Sequence, residues 1–207
     1  MTNEAPLRCA CGSMRGRARE LAPPRGLHLT CYCADCQAFA DYLGKRETQL
    51  DDWGGSAIVQ IAPARIELSE GAEHLACMRL SEGGLMRWYA GCCNTAIANT
   101  MAKAAVPFTG MYVHFIDPDF DAGERDALLG PSRANVNGRA LSGTDAPVKV
   151  DAFPVRVIGR SLLNIARSWR RNEHWPSPFF DADGEPRATP TVLSTAERDA
   201  LRVHQAQ

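Results

Sequence analysis

The sequence predicts a mainly β fold, built of small antiparallel sheets in a sandwich-like or barrel-like arrangement, with an α-helical C-terminal extension. Three observations predict it. Short segments with strand-like alternation recur through the first half. Glycine-rich turns separate them. After Asp117-Pro118 the texture changes to helical periodicity and proline-punctuated loop. The chain has 207 residues, which suits one domain with an extension or two small ones. The expected division is residues 5–116 for the β domain and 117–207 for the extension, packed on it.

In chain order, Leu27–Tyr32 alternates as a strand does. Trp53-Gly54-Gly55-Ser56 is a turn signal before a second strand at Ala57–Ala62. Arg65–Ser69 alternates and stops at Glu70-Gly71. Leu75–Leu80 and Leu85–Ala90 flank Ser81-Glu82-Gly83-Gly84, which reads as a hairpin connection. Ala96–Thr100 and Gly110–Ile116 complete the strands, and Cys33–Leu43 has room for a short helix. Beyond residue 117, Ala122–Leu129 reads as a helix ended by Gly130-Pro131, and 131–151 as a long loop. Val157, Ile158, Leu162, Ile165 and Trp169 recur at helical spacing, so 155–171 is predicted to be an amphipathic helix covering the sheet. Ser194-Thr195-Ala196-Glu197 is a capping box opening a last helix.

Composition narrows the function classes. Hydrophobic residues make up 45% of the chain, enough for a core without covalent staples. The net charge is −1, with acids and bases interleaved and no basic stripe, so nucleic acid is not an expected partner. Arg167, Arg170 and Arg171 form one local basic cluster and read as a solvated helix face. No run of about 18 apolar residues occurs, so no membrane span is expected. The first eight residues lack a signal-peptide pattern, and a cytoplasmic location is expected. In a reducing compartment the eight cysteines favour metal binding or chemistry over disulfides.

Those cysteines fall in three clusters, Cys9-Ala10-Cys11-Gly12, Cys31-Tyr32-Cys33-Ala34-Asp35-Cys36 and Cys92-Cys93, with Cys77 alone in a strand and expected to be a core residue. A C-x-C-x-x-C turn can bring three thiolates to one ion. Three protein ligands with a fourth position open is the arrangement of a catalytic zinc, in which Cys31, Cys33 and Cys36 carry the chemistry. The competing reading is a structural site completed from elsewhere, by His28 or a remote cysteine. Cys9 and Cys11 supply two ligands and need a partner pair. Cys92 and Cys93 can provide it only if a turn brings neighbours that would otherwise face opposite ways to one ion. Gly91 and Asn94 make that turn plausible. Zinc, at one or two ions per chain, is the expected cofactor.

The same residues carry a family likeness over about residues 5–116. The chain resembles the glutathione-dependent formaldehyde-activating enzymes, whose domain is shared with centromere protein V. That pattern runs C-x-C-G, then C-x-C-x-x-C, then an aromatic followed by C-x-x-C-G. The first two elements match at Cys9-Ala10-Cys11-Gly12 and at Cys31 to Cys36, and Gly54-Gly55-Ser56 resembles the family's loop. The third matches at Tyr89 to Thr95 with departures: Ala90 stands where the first cysteine belongs, Cys93 fits the second, and Asn94 replaces glycine. Either Cys92 substitutes for the missing ligand or that site is three-coordinate. The resemblance implies a zinc-binding β-sandwich-like fold, a structural zinc at Cys9, Cys11 and Cys93 with or without Cys92, and a second zinc at Cys31, Cys33 and Cys36 near a glutathione site. It implies carbon–sulfur lyase chemistry joining a small aldehyde to a thiol such as glutathione. For such an enzyme Asp35, Lys45 or Arg46 is available to orient the substrate, and each otherwise reads as a solvated side chain. The alternative is a non-catalytic zinc-stabilised module whose C-terminal helix, with Trp169 and the 175–180 loop, makes a partner or homodimer contact.

Overall fold

The computed structural model describes residues 3–138 and 154–202, so most of the loop expected at 131–151 lies outside the described residues. The fold is mainly β. Strands β1 (Glu4–Arg8), β2 (Arg15–Arg19) and β5 (Ile66–Glu70) form an antiparallel sheet in the order β1-β2-β5. The larger sheet has eight strands. Six are β3 (Leu27–Cys31), β4 (Ser56–Ile61), β6 (Leu75–Arg79), β7 (Met86–Ala90), β8 (Thr95–Thr100) and β9 (Thr109–Tyr112). The others, β10 (Asn135–Val136) and β11 (Thr191–Val192), stand at its two edges. The order is β10-β3-β4-β9-β8-β7-β6-β11. The six inner strands pair antiparallel, whereas β10 joins β3 and β11 joins β6 in parallel, so this sheet is mixed.

The period-2 rule explains the layering. Neighbours on the central strands belong to different cores: Val59, Ile97 and Met111 to one, and Ile58, Ala96 and Tyr112 to the other. The larger sheet is therefore covered on both faces, and every residue of β8 is buried. On one face it meets Ala5, Leu7, Ala18 and Ile66 of the smaller sheet. On the other it meets Ala38, Phe39 and Leu43 of α1 (Ala34–Leu43) and Val157 of α4 (Val155–Arg170). Trp88, fully buried, packs against Phe179 and Phe180, with ring centroids 5.2 and 5.7 Å away. The chain beyond Asp117 thus contributes to the core and to both sheet edges.

Short helices α2 (Arg46–Gln49), α3 (Ala122–Leu129) and α5 (Thr195–Arg202) complete the fold. Asp121 caps α3 by accepting from Glu124 N, and the predicted capping box opens α5 through Ser194 and Glu197. None of the helices described is long and apolar enough to cross a membrane.

Three expectations change. The strand at Gly110–Ile116 ends at Tyr112 and passes into a 3₁₀ turn at Val113–Phe115. Strands β1 and β2, absent from the pattern reading, form a hairpin that carries the first cysteines. Helix α4 does form, but its buried residues are Val157, Asn164 and Ser168. Ile158, Leu162 and Trp169 are 42%, 60% and 53% exposed. Beyond Val157 the inward face is polar, where Ser161 borders one cavity and Asn164 and Ser168 border another, both described below.

Candidate functional site

The structure brings the seven predicted ligand cysteines into two groups, one of four and one of three. Within each group the sulfurs all lie within 4.8 Å of one another. Cys77 joins neither; it is buried in the core, where desolvation pushes its thiol up to about 12.

The group of four joins two turns. After β1 the chain doubles back through Gly12, whose φ of 79° suits glycine, with Cys9 N donating to Met14 O and Gly12 N to Cys9 O. Between β7 and β8, Asn94 takes the left-handed conformation (φ 58°), and Cys93 N and Asn94 N both donate to Ala90 O. This tight turn lets the adjacent Cys92 and Cys93 point to one place. Thr95 ties the turns together: its Oγ1 accepts from Ala10 N at 3.0 Å and lies 3.1 Å from Cys93 Sγ. The sulfur separations are 3.6 Å for Cys9–Cys11, 3.9 Å for Cys9–Cys92, 3.4 Å for Cys11–Cys92 and 3.9 Å for Cys92–Cys93. Four sulfurs at the corners of a tetrahedron, each about 2.3 Å from a central zinc, are about 3.8 Å apart. The group fits a closed four-thiolate site, and Cys92 stands in the set while Ala90 is fully buried in β7. Ser13 draws the Cys11 thiol down to about 6, whereas burial pushes Cys9 and Cys92 up.

The group of three is set by the start of α1. Cys31 ends β3. Cys33 is the N-cap residue, its Sγ accepting from Cys36 N at 3.3 Å, and Cys36 sits in the first turn. The C-x-x-C spacing is the capping geometry itself, so the helix that forms also converges the sulfurs. The partial positive charge of the helix N-terminus favours thiolate there. Asn137, next to β10, donates from Nδ2 to Cys31 Sγ at 3.5 Å. Hydrogen bonds from Cys33 and Cys36 draw the Cys31 thiol down to about 3, and the same contacts push theirs up. His28 does not join the group; its Nδ1 lies 3.1 Å from Gly130 O. No fourth cysteine, histidine or carboxylate completes the set among the described residues.

Instead, the three cysteines line a cavity of about 210 Å³. Leu29, Ile58, Leu85 and Phe108 give it apolar walls, and Gln60, Asn99 and Arg87 add polar groups. Arg87, 3% exposed on β7, is held by Asn99 Oδ1 and Tyr112 OH, each 3.4 Å from Nη1. Its guanidinium carbon lies 5.4 Å from the centre of the Phe39 ring. Desolvation opposes the charge of Arg87, but Tyr112, Cys36, Cys33 and Asp35 outweigh it and hold the group protonated. A buried cation beside three cysteines offsets the charge they carry as thiolates. Asp35 also borders this cavity and pairs with Arg202 of α5. Arg46 is engaged by Asp41 at 3.0 Å, and neither it nor Lys45 lines the cavity. Sequence reasoning missed Arg87, Asn99 and Asn137. The one signal available was Arg87 itself, a charge inside the apolar strand Met86–Ala90.

The sequence pattern of a family of unknown function, DUF6151, matches residues 1–189. The chain belongs to that family. The DUF6151 match spans both cysteine groups and α4, so the cavity residues on either side of Asp117 fall within one family unit. Among solved structures the chain is similar to a crystal structure of a Rhodobacter sphaeroides protein, with 14% identity and a TM-score of 0.41. The similarity covers 63% of this chain and 99% of that one. None of the curated proteins matches it.

Proposed function

We propose that this DUF6151 member is a zinc–thiolate protein with one structural site and one reactive site, and that the reactive site takes a small thiol. Cys9, Cys11, Cys92 and Cys93 would hold the structural ion, and Cys31, Cys33 and Cys36 the other. The observation that carries the reading is the contrast between the groups: four sulfurs at tetrahedral spacing in one, and three sulfurs bordering a cavity in the other. A zinc ion bound by three thiolates supplies positive charge that favours the thiolate form of an incoming thiol, and Lewis acidity towards a carbonyl.

The chain's own residues do the rest. Arg87 offsets the thiolate charge and presents a fixed cation to an anionic part of the ligand. Asn137 orients Cys31 through its hydrogen bond. Asn99 and Gln60 offer amide groups, and Leu29, Ile58 and Phe108 exclude water from the reacting atoms. The resemblance to the glutathione-dependent formaldehyde-activating enzymes makes glutathione, or a related thiol adduct of a small aldehyde, the substrate class to test, with carbon–sulfur bond formation and cleavage as the reaction. Metal content of protein purified without chelator tests the first half of the reading; two zinc ions per chain are expected. Exchange NMR of glutathione with formaldehyde tests the second. If the protein leaves adduct exchange at the uncatalysed rate, or Cys33→Ser accelerates it as the wild type does, the lyase reading fails.

A second reading is a zinc-stabilised binding module. The exposed Ile158, Leu162 and Trp169 on α4 favour it, since an apolar stripe on a helix commonly marks a contact surface. A protein that holds two zinc ions, accelerates no thiol–aldehyde exchange and loses self-association on Leu162→Glu would support this reading.

A further inference from the structure

A second pocket, of about 320 Å³, opens between α4 and the segment joining β2 to β3, and its chemistry differs from that of the cysteine cavity. Arg25, Arg65, Arg167 and Arg171 line it, together with Asn164 and Ser168. Two of the four guanidiniums are held in place. Glu173 accepts from Arg25 at 3.1 Å through Oε1 and from Arg65 at 2.6 Å through Oε2, and Glu20 Oε2 lies 3.3 Å from both arginines. Arg65 is 7% exposed and also donates to Arg25 O at 3.2 Å. These contacts fix the pair but consume the charge of only two of the four arginines. Arg167 and Arg171 form no ion pair among the described residues, so the pocket keeps an excess of two positive charges.

A basic helix face alone would be unremarkable, and the sequence reads these arginines as one. The second observation is Asn164. It is 7% exposed and lines the same pocket, and its Nδ2 is buried with no hydrogen-bond partner among the described residues. Buried amide donors are almost always satisfied, because leaving one unpaired costs the desolvation of the group. Asn164, Arg167, Ser168 and Arg171 lie at three- and four-residue spacing on one face of α4 and its C-cap, which aims donors from successive turns into one volume. The polar inward face of the helix, unexpected from its apolar periodicity, is the face that borders this pocket.

We infer that the arginine pocket binds a small tetrahedral oxyanion, a phosphate or the phosphate of a phosphomonoester. Planar guanidinium forks match two oxygens of such a group at once, and the Asn164 amide supplies a neutral donor to a third. Two net positive charges match the charge of a phosphate dianion. The inference does not rest on the cysteine chemistry, since no residue lines both pockets.

The test is calorimetric titration of the full chain, as purified, with inorganic phosphate at ionic strength held constant with sodium chloride. Saturable one-site binding is expected. Arg167→Gln/Arg171→Gln should weaken it about tenfold or more, since charge-assisted hydrogen bonds are lost. Both side chains are exposed, so this variant should keep the wild-type melting temperature without phosphate. Asn164→Leu should weaken binding with both arginines intact. Cys33→Ser should leave it unchanged, which separates this site from the cysteine cavity. Succinate serves as the competing arm, and a dicarboxylate that binds as tightly as phosphate would overturn the assignment to a tetrahedral oxyanion. No saturable binding by about 10 mM phosphate, or binding unaltered by the double arginine variant, would overturn the site.

Discussion

Cys11→Ser separates a metal ligand from an ordinary surface residue, because Cys11 is exposed. If its thiol has no role beyond its visible contacts with Ser13, Cys9 and Cys92, replacing one small polar side chain by another at the surface changes stability by no more than about 0.5 kcal/mol. In a chain of this length that is about 1–2 °C in melting temperature. If it is one of four ligands to zinc, the loss is far larger. A site whose free ion stands about a thousandfold above its dissociation constant stabilises the fold by about 4 kcal/mol, or about 8–16 °C. The tie also spans the chain, joining the turn after β1 to the turn before β8, 83 residues away at Cys9 and Cys92. The assay is thermal unfolding with parallel zinc analysis, on wild type and variant, each with and without a strong chelator. The expected result is a large drop for the variant, one zinc fewer per chain, and a smaller chelator effect than in the wild type. A variant that melts within about 2 °C of the wild type with its zinc content intact would refute the four-thiolate assignment.

The remaining predictions address other positions. Cys77→Ala should cost about 1 kcal/mol, the order of one deleted buried methyl group, and leave zinc content unchanged by mass spectrometry. Cys33→Ser should lower zinc to one ion per chain and abolish glutathione binding in calorimetry while the fold, followed by circular dichroism, persists. His114 packs beside Tyr112, and burial lowers its pKa from 6.5 to about 4. The unfolded chain therefore binds more protons between those values, and stability falls as pH drops from 6.5 towards 4, by up to about 3 kcal/mol. Melting curves of His114→Gln should show a shallower acid dependence than the wild type. Truncation after Asp117 should give insoluble protein, because removing Phe179 and Phe180 uncovers Trp88.

Much of the candidate site was legible because its geometry is local. The C-x-C-x-x-C run caps its own helix, so spacing alone fixes the convergence of Cys31, Cys33 and Cys36. The C-x-C and C-C pairs were legible as pairs, but their meeting depends on a left-handed Asn94 and on the pairing of β7 with β8, which spacing does not encode. The six inner strands stood out because each alternates or carries a continuous apolar run. Hairpin β1–β2 did not, since Arg15-Gly16-Arg17-Ala18-Arg19 offers one buried side chain at Ala18 and otherwise reads as a charged loop. The face of α4 was misread because apolar content marks a core-facing stripe only when the other side meets solvent. Here that side meets the arginine pocket and, at Ser161, the edge of the cysteine cavity. Arg87 and Asn137, 50 residues apart in sequence, border one cavity only because β10 returns to the edge of β3.

The two-residue strands β10 and β11 bear on how the molecule meets its own copies. An uncovered outer strand is a row of free amides and carbonyls, ready to accept the backbone of any neighbour and extend without limit. Among the described residues the larger sheet ends in no such strand of useful length. Thr30 and Tyr32 donate their amides to Ala134 and Val136, and Arg79 accepts from Leu193. The selvedges so made are each too short to template a further strand. Joining two of these larger sheets edge to edge is therefore disfavoured at both described ends, whereas the smaller sheet keeps five-residue edge strands at β1 and β5.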